Sequence, residues 1–247
     1  MSSRSHSYSD TFSLEQSNLY NRSQLVTALG AILAIDASEN AWPAFLPQIQ
    51  SFLSTQDPKM IHTGLLGLHE LTKVFQWSSS SKRAPLDHII SSTYPHLLII
   101  ASNLITNDSP QAGEMLKLII KTFCGSIRLE LSKSLQDSNI LSGWASLFVQ
   151  VVEKQVTGDV SLSPEDREKY PWWKAKKWAL QSLYHLYSRY SRAFKKDKRY
   201  IAFSKMFMEF FVPNIVHAYL RQVQALISGM WMSNRVKQQL AMFLEEW

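Results

Sequence analysis

Apolar residues recur every three or four positions along most of the chain, which is the spacing of amphipathic helices. The spacing predicts nine helices, at about 18–35, 42–54, 58–77, 85–106, 110–132, 137–156, 171–190, 197–228 and 233–247. Four predicted helix starts carry a proline, which suits a first turn because its missing N–H has no partner there: Pro43, Pro58, Pro110 and Pro171. No stretch reads convincingly as a strand. The pattern therefore predicts an all-α fold.

The segments between these helices are mostly short turns. Residues 78–84 form a polar linker rich in serine, and residues 157–169 form the longest predicted loop. Residues 1–17 are polar and serine-rich, so we expect a disordered tail before a helical body at 18–247. The first and last predicted helices carry apolar residues toward the chain ends, so we expect an interior part of a longer helical array.

The predicted helix at 171–190 has two clearly different faces. Its apolar arc contains Trp172, Trp173, Ala175, Ala179, Leu180, Leu183, Leu186, Tyr187 and Tyr190, and its polar arc contains Lys174, Lys177, Trp178, Gln181, His185 and Arg189. Two residues break the pattern, because Lys176 lies in the apolar arc and Trp178 in the polar one. We expect Lys176 to pack its stem between Trp172 and Leu180 and to reach a carboxylate of a neighbouring repeat, since a buried unpaired lysine is costly.

Composition supports a folded protein. The 247 residues are 45% hydrophobic, and the low numbers of Gly (8) and Pro (9) disfavour a turn-rich β fold. The single cysteine, Cys124, excludes an internal disulfide and fits a reducing compartment. Neither a secretory signal nor an apolar run long enough for a membrane span is visible, so we expect an intracellular protein that does not insert into membranes.

Positive charge is concentrated in one zone. The net charge is +6, and residues 167–205 contain twelve Lys and Arg against Glu168 and Asp197. Such a zone predicts an acidic partner, which could be a protein, a nucleic acid or a membrane surface. The simpler alternative is that these lysines only solvate helix faces.

Motifs for enzyme chemistry are missing from the sequence. It contains no Gly-rich phosphate loop, no HExxH and no CxxC. His62 and His69 would stand two helical turns, or about 10 Å, apart, too far to share one metal ion unaided. Cys124 lies in an apolar run and reads as an inert core thiol. We predict no enzyme activity, no cofactor, no metal and no small-molecule substrate.

Three stretches resemble the importin-β (karyopherin-β) superfamily, and most of all its importin-7/importin-8 branch. They are Arg22 to Ile49, with Asp36 and Trp42-Pro43; Gly64-Leu-Leu-Gly-Leu-His-Glu-Leu-Thr-Lys73; and Leu162 to Tyr190, with Pro-Trp-Trp-Lys-Ala-Lys-Lys-Trp-Ala-Leu. The third is the most specific. The resemblance implies a right-handed α-solenoid of HEAT repeats, of which this chain corresponds to roughly repeats three to seven.

The same resemblance implies a function. Receptors of this superfamily shuttle between nucleus and cytoplasm, import protein cargo that is often basic, such as ribosomal or histone-like proteins, and release that cargo when GTP-bound Ran binds. The repeats that make most of the Ran contact precede those represented here. Contact with FG nucleoporins would use hydrophobic slots between outer helices. Two other functions stay open: a HEAT-repeat scaffold without a transport role, and nucleic-acid binding through residues 167–205.

The second helix of a HEAT pair lines the concave surface in this superfamily. By resemblance, the polar arc of the helix at 171–190 would face that groove, and its candidate partner-binding residues are Lys174, Lys177, Trp178, Gln181 and His185. A tryptophan beside lysines is a typical binding anchor. The alternative is that Trp178 packs under the next repeat while the lysines are only solvated.

Overall fold

The computed structural model describes residues 24–33, 43–78, 82–158, 161–194 and 234–245, with 205, 208–209, 212–213, 216–217 and 220. All regular secondary structure within these ranges is helical. The helices are α1 (24–33), α2 (Phe45–Leu53), α3 (Pro58–Phe75), α4 (Ala84–Leu104), α5 (Pro110–Ser126), α6 (Ser138–Glu153), α7 (Pro164–Lys169), α8 (Pro171–Phe194) and α9 (Asn234–Glu245), with a short 3₁₀ helix at Lys133–Gln136.

Side-chain caps explain why several helices begin where they do. The Ser109 hydroxyl accepts a hydrogen bond from the N–H of Ala112 at 3.2 Å, and Pro110 follows it in the first turn. Asp137 accepts from the N–H groups of Asn139 and Ile140 at 2.9 and 3.1 Å. Such caps satisfy main-chain donors that have no partner within the helix.

Most predicted helices are confirmed, with different ends. The predicted helix at 110–132 stops at Ser126, and a 3₁₀ helix follows it. The predicted loop at 157–169 contains α7, whose first turn is capped by the Ser163 hydroxyl accepting from the Asp166 N–H at 3.2 Å. Helix α4 continues through Pro95. The predicted tail at 1–17 and most of the predicted helix at 197–228 lie outside the described residues.

Contacts divide the chain into two compact units, residues 1–74 and 75–247. In the first unit, α2 and α3 approach closely at a glycine. A Cβ added at Gly64 would lie 3.1 Å from the Cβ of Phe52 and 3.2 Å from the side chain of Leu53. The glycines in the Gly-Leu-Leu-Gly stretch therefore serve helix packing. Ile49 and Leu53 of α2 are buried against this surface.

The second unit is built around α8, which packs against α5, α6 and α9. Its core contains an aromatic cluster from α4, α5 and α6, in which the ring of Phe123 lies 4.8 Å from that of Trp144 and 5.0 Å from that of Phe148. The ring centre of Tyr94 lies 5.6 Å from that of Trp144. Tilted and edge-to-face aromatic pairs at these separations add stability beyond the area they bury.

Basic side chains from other elements reach the C-terminal ends of three helices in this unit. The Lys154 ammonium donates to the Ile105 carbonyl after α4 at 2.8 Å, and the Arg83 guanidinium donates to the Ser126 carbonyl of α5 at 2.6 Å. The Lys176 ammonium donates to the Val152 carbonyl of α6 at 2.7 Å. These carbonyls stand at the negative end of the helix dipole, where a cation is favourable.

A glycine permits close packing of α5 on the first turn of α8. A Cβ added at Gly113 would lie 3.0 Å from Cδ1 of the Trp172 ring and 3.1 Å from the Trp172 main-chain nitrogen. The Trp172 indole N–H donates to the carbonyl of Ser109 at 3.1 Å, which holds the ring beside this glycine. The close approach of α8 to α5 thus depends on the absence of a side chain at Gly113.

We predict that Gly113→Ala lowers the free energy of unfolding by about 1 kcal/mol or more, because overpacking against a fixed ring and main chain costs about 1–3 kcal/mol. Urea denaturation followed by circular dichroism measures the change. Alanine at a helical position otherwise gains about 0.5–1 kcal/mol over glycine.

Gly143→Ala is the matched control for this prediction. Its added Cβ would lie 3.1 Å from a terminal methyl of Leu98, which can move, so this variant is expected to be neutral or more stable. Equal stability changes in the two variants would contradict the packing role of Gly113.

Candidate partner-binding site

The five residues predicted as a binding arc all lie on α8, and each is half-buried: Lys174, Lys177, Trp178, Gln181 and His185. Trp178, Gln181 and His185 follow one another at spacings of three and four, so they share one side of the helix. Lys174 precedes Trp178 by four residues and belongs to the same side. The arc is therefore continuous along about three turns of α8.

Two ammonium groups lie near the ring of Trp178. The Lys177 Nζ and the Lys121 Nζ of α5 are each 5.7 Å from the centre of the indole ring. This is the distance range of cation–π attraction. Trp178 thus stands where α8 meets α5.

Helices α5 and α9 add charged residues that sequence reasoning did not assign to the site. Lys117 stands one turn before Lys121 on α5 and forms an ion pair with Glu114. Arg235, near the start of α9, contributes to the electrostatic environment of Lys174. We call Lys117, Lys121, Lys174, Lys177, Trp178 and Arg235 together the basic face. The groups on α5, α8 and α9 are separated from one another by more than fifty residues in sequence, and only the packing of α5 and α9 on α8 brings them together.

The electrostatics of Lys174 show how closely the positive charges stand. Burial is the main factor that lowers the pKa of its ammonium, and the charge of Lys117 lowers it further, while Glu114 acts in the opposite direction. Arg235 and Lys169 also lower it. An approaching anion would relieve this repulsion. Burial and the neighbouring positive charges both disfavour the charged form of Lys174.

Lys176 is buried, with 3% of its surface exposed, and its hydrogen-bond acceptor is the main-chain carbonyl of Val152. The carboxylate expected from the sequence is not the acceptor of this bond. The cause is local: α6 ends beside Lys176, and a helix end offers carbonyls without internal partners. Its Nζ also lies 5.3 Å from the centre of the Trp173 ring. Lys176 thus joins α8 to α6 and does not contribute to the basic face.

Other residues singled out in the sequence are buried or line a hollow. Cys124 is a free thiol in the core, and burial raises its pKa to about 11. His69 is buried, and His62 lines a hollow of about 590 Å³ between α1 and α3. No three His, Cys, Asp or Glu side chains cluster as metal ligands in the part of the chain that the structure describes. None of its described helices is long and apolar enough to cross a membrane.

Fold and site together define an all-α helical-repeat protein with a basic face. The chain is similar to the importin beta-like SAD2 homolog of Arabidopsis thaliana, with 32% identity over 87% of the chain and 21% of the relative. It is 30% identical to nonsense-mediated mRNA decay protein 5 of Saccharomyces cerevisiae, over 90% of the chain and 22% of the relative. Human importin-8 is 25% identical over 91% of the chain and 22% of the relative.

These matches confirm the resemblance to importin-β-type proteins that the residues indicated. The chain spans about a fifth of the length of these relatives. The predicted class, an all-α segment of a HEAT-repeat solenoid, is confirmed by the helical structure of the described residues and by these relatives. No protein-family model matches the chain. No solved structure matches it either.

The buried Lys176 predicts a pH dependence of stability. Burial is the main factor that lowers the pKa of its ammonium to about 7; Lys154 lowers it further, and Glu153 acts in the opposite direction. An unfolded lysine keeps its proton up to about pH 10.4. Above about pH 7 the unfolded state therefore binds more protons, and the free energy of unfolding should rise with pH by at most about 1.4 kcal/mol per unit.

Urea denaturation between about pH 7 and 8 measures this rise, below about pH 8.5, where an unfolded cysteine is half ionised. Lys176→Met should reduce the slope, because no proton is gained at that position on unfolding. Lys177→Met, one residue away and half-buried, is the matched control, and it should leave the pH slope of stability unchanged. An unchanged slope in Lys176→Met would contradict the assignment.

Proposed function

We propose that this chain is a segment of an importin-like nuclear transport receptor, in which helical-repeat surfaces bind protein cargo. The observation that supports this most is the similarity to proteins named as importins over about nine-tenths of the chain. The helical-repeat fold agrees with it. Since such a protein works by binding, no catalytic group is required.

The binding surface in this proposal is the α8 arc of Lys174, Lys177, Trp178, Gln181 and His185. Its support is geometric. The arc runs along one side of α8, its residues are only half-buried, and it combines a tryptophan with lysines, a combination common in binding hot spots. The rest of α8 is committed to packing through Trp172, Leu180 and Leu183, which are buried.

The wider transport role includes further partners. In the complete receptor we expect GTP-bound Ran to release cargo, FG nucleoporins to be contacted during passage, and the protein to shuttle between nucleus and cytoplasm. The segment described here contributes the cargo surface. These expectations rest on the resemblance to the superfamily.

A segment exchange tests the proposal. Human importin-8 in which this chain replaces the matching 226-residue region should import a protein that importin-8 carries, in permeabilised cells with Ran and GTP. The double variant Lys177→Glu with Trp178→Ala in the exchanged segment should reduce cargo binding about ten-fold or more, because hot-spot residues each cost above about 1 kcal/mol when truncated.

The matched control is Lys133→Glu with Trp77→Ala, which makes the same changes at two exposed positions away from α8. It should import as well as the unmodified exchange. If the exchanged receptor folds, shown by a cooperative thermal transition, and imports nothing, the transport proposal is contradicted. The scaffold function, with partner binding but no import, would then be supported.

Nucleic-acid binding through residues 167–205 is the other candidate. Of that zone, the structure describes α7, α8 and Lys205, and the lysine-rich stretch at 195–199 lies outside the described residues. Oligonucleotide binding whose affinity falls steeply with salt would support it.

A further inference from the structure

We propose that the basic face, formed jointly by α5, α8 and α9, binds an acidic peptide segment of a protein partner. The inference rests on the proposed function only because both take a protein as the partner. It adds that the bound segment is acidic and that residues of α5 and α9 help to bind it. It differs from the basic cargo that the resemblance implies, because a basic face repels basic cargo.

Charge is the first argument. Lys121 and Lys177 each place an ammonium group 5.7 Å from the centre of the Trp178 ring. Lys117, which pairs with Glu114, and Arg235 both act on the charge of Lys174 on the same helix. Burial is the main factor that lowers the pKa of Lys174, and repulsion by Lys117 and Arg235 lowers it further. Carboxylates placed among them would relieve the repulsion and gain opposite-charge attraction.

The position of the lysines is the second argument. Lys117 has only 16% of its side chain exposed, so its ammonium is held near the seam between α5 and α8. A lysine whose aliphatic chain is already packed against the protein loses less rotamer freedom on binding than a fully exposed one. The ammonium group of Lys117 is therefore held in place before a ligand binds.

The surroundings of Trp178 favour a carboxylate-rich peptide over a nucleic acid. Proteins that bind single-stranded nucleic acid stack bases on aromatic rings. Both Lys121 and Lys177 lie over the Trp178 ring at 5.7 Å, so ammonium groups occupy the surface on which a base would stack. A peptide carboxylate can reach these ammonium groups while apolar side chains contact the remaining indole edge.

Fluorescence anisotropy of the 247-residue chain tests the inference. The probe is a fluorescein-labelled twelve-residue peptide of alternating Glu and Leu, compared with the same peptide carrying Lys in place of Glu and with a twelve-nucleotide oligothymidylate. We expect saturable binding of the Glu peptide that weakens as NaCl rises from 50 to 300 mM. The Lys peptide should not bind, and the oligothymidylate should bind more weakly than the Glu peptide.

Two charge reversals locate the site. Lys121→Glu with Lys177→Glu should weaken binding of the Glu peptide about ten-fold, because each exposed ion pair is worth up to about 1 kcal/mol. The matched control is Lys59→Glu with Lys133→Glu, which changes the net charge equally at exposed positions outside the face and should alter the affinity by less than two-fold. A milder variant, Lys121→Gln with Lys177→Gln, replaces the first pair if its thermal transition is lost.

Each result separates the alternatives. Equal weakening by both double reversals would overturn the inference, since net charge alone would then explain binding. Tighter binding of the oligothymidylate than of the Glu peptide would also overturn it, in favour of a nucleic-acid surface. If the Glu peptide fails to bind while the exchanged receptor still imports cargo, this inference fails and the proposed function stands.

Discussion

The second unit of the protein depends on basic side chains that donate hydrogen bonds to carbonyls at the ends of helices. A helix leaves its last carbonyls without internal partners, and in a packed array these ends are removed from water. Here Lys154, Arg83 and Lys176 donate to carbonyls at the ends of α4, α5 and α6. Each bond satisfies an acceptor and joins two elements. Packing of apolar faces supplies most of the driving force, but it does not determine where along their lengths the helices meet.

This arrangement divides the lysines of α8 between two roles. Lys176 points toward α6 and is buried, whereas Lys174 and Lys177 point toward the seam with α5 and remain partly accessible. Of these three lysines within four positions, Lys176 serves the architecture, and our proposal assigns Lys174 and Lys177 to recognition. The same helix that anchors α5, α6 and α9 also carries the basic face, so partner binding would take place on the most firmly held element of the unit. A rigid platform lowers the entropic cost of binding.

Similarity to importin-type relatives and the chemistry of the basic face support different parts of the functional account. The relatives, of whose length this chain spans about a fifth, support the proposed transport role. The basic face suggests what this particular segment recognises. The proposed cargo surface and the basic face share Lys174, Lys177 and Trp178, so the chemistry of this face predicts that the cargo segment bound there is acidic.

The sequence by itself determined the helices, their proline-containing starts and the amphipathic faces, because these depend on neighbours three or four residues away. It indicated the Trp178 arc for the same reason. Only the tertiary structure decided the acceptor of Lys176, the burial of Arg83 within a segment read as a polar linker, and the contribution of Lys117, Lys121 and Arg235. In those features, residues from about twenty to more than one hundred positions apart come together. Which residues meet depends on how the helices pack, and local periodicity does not encode that packing.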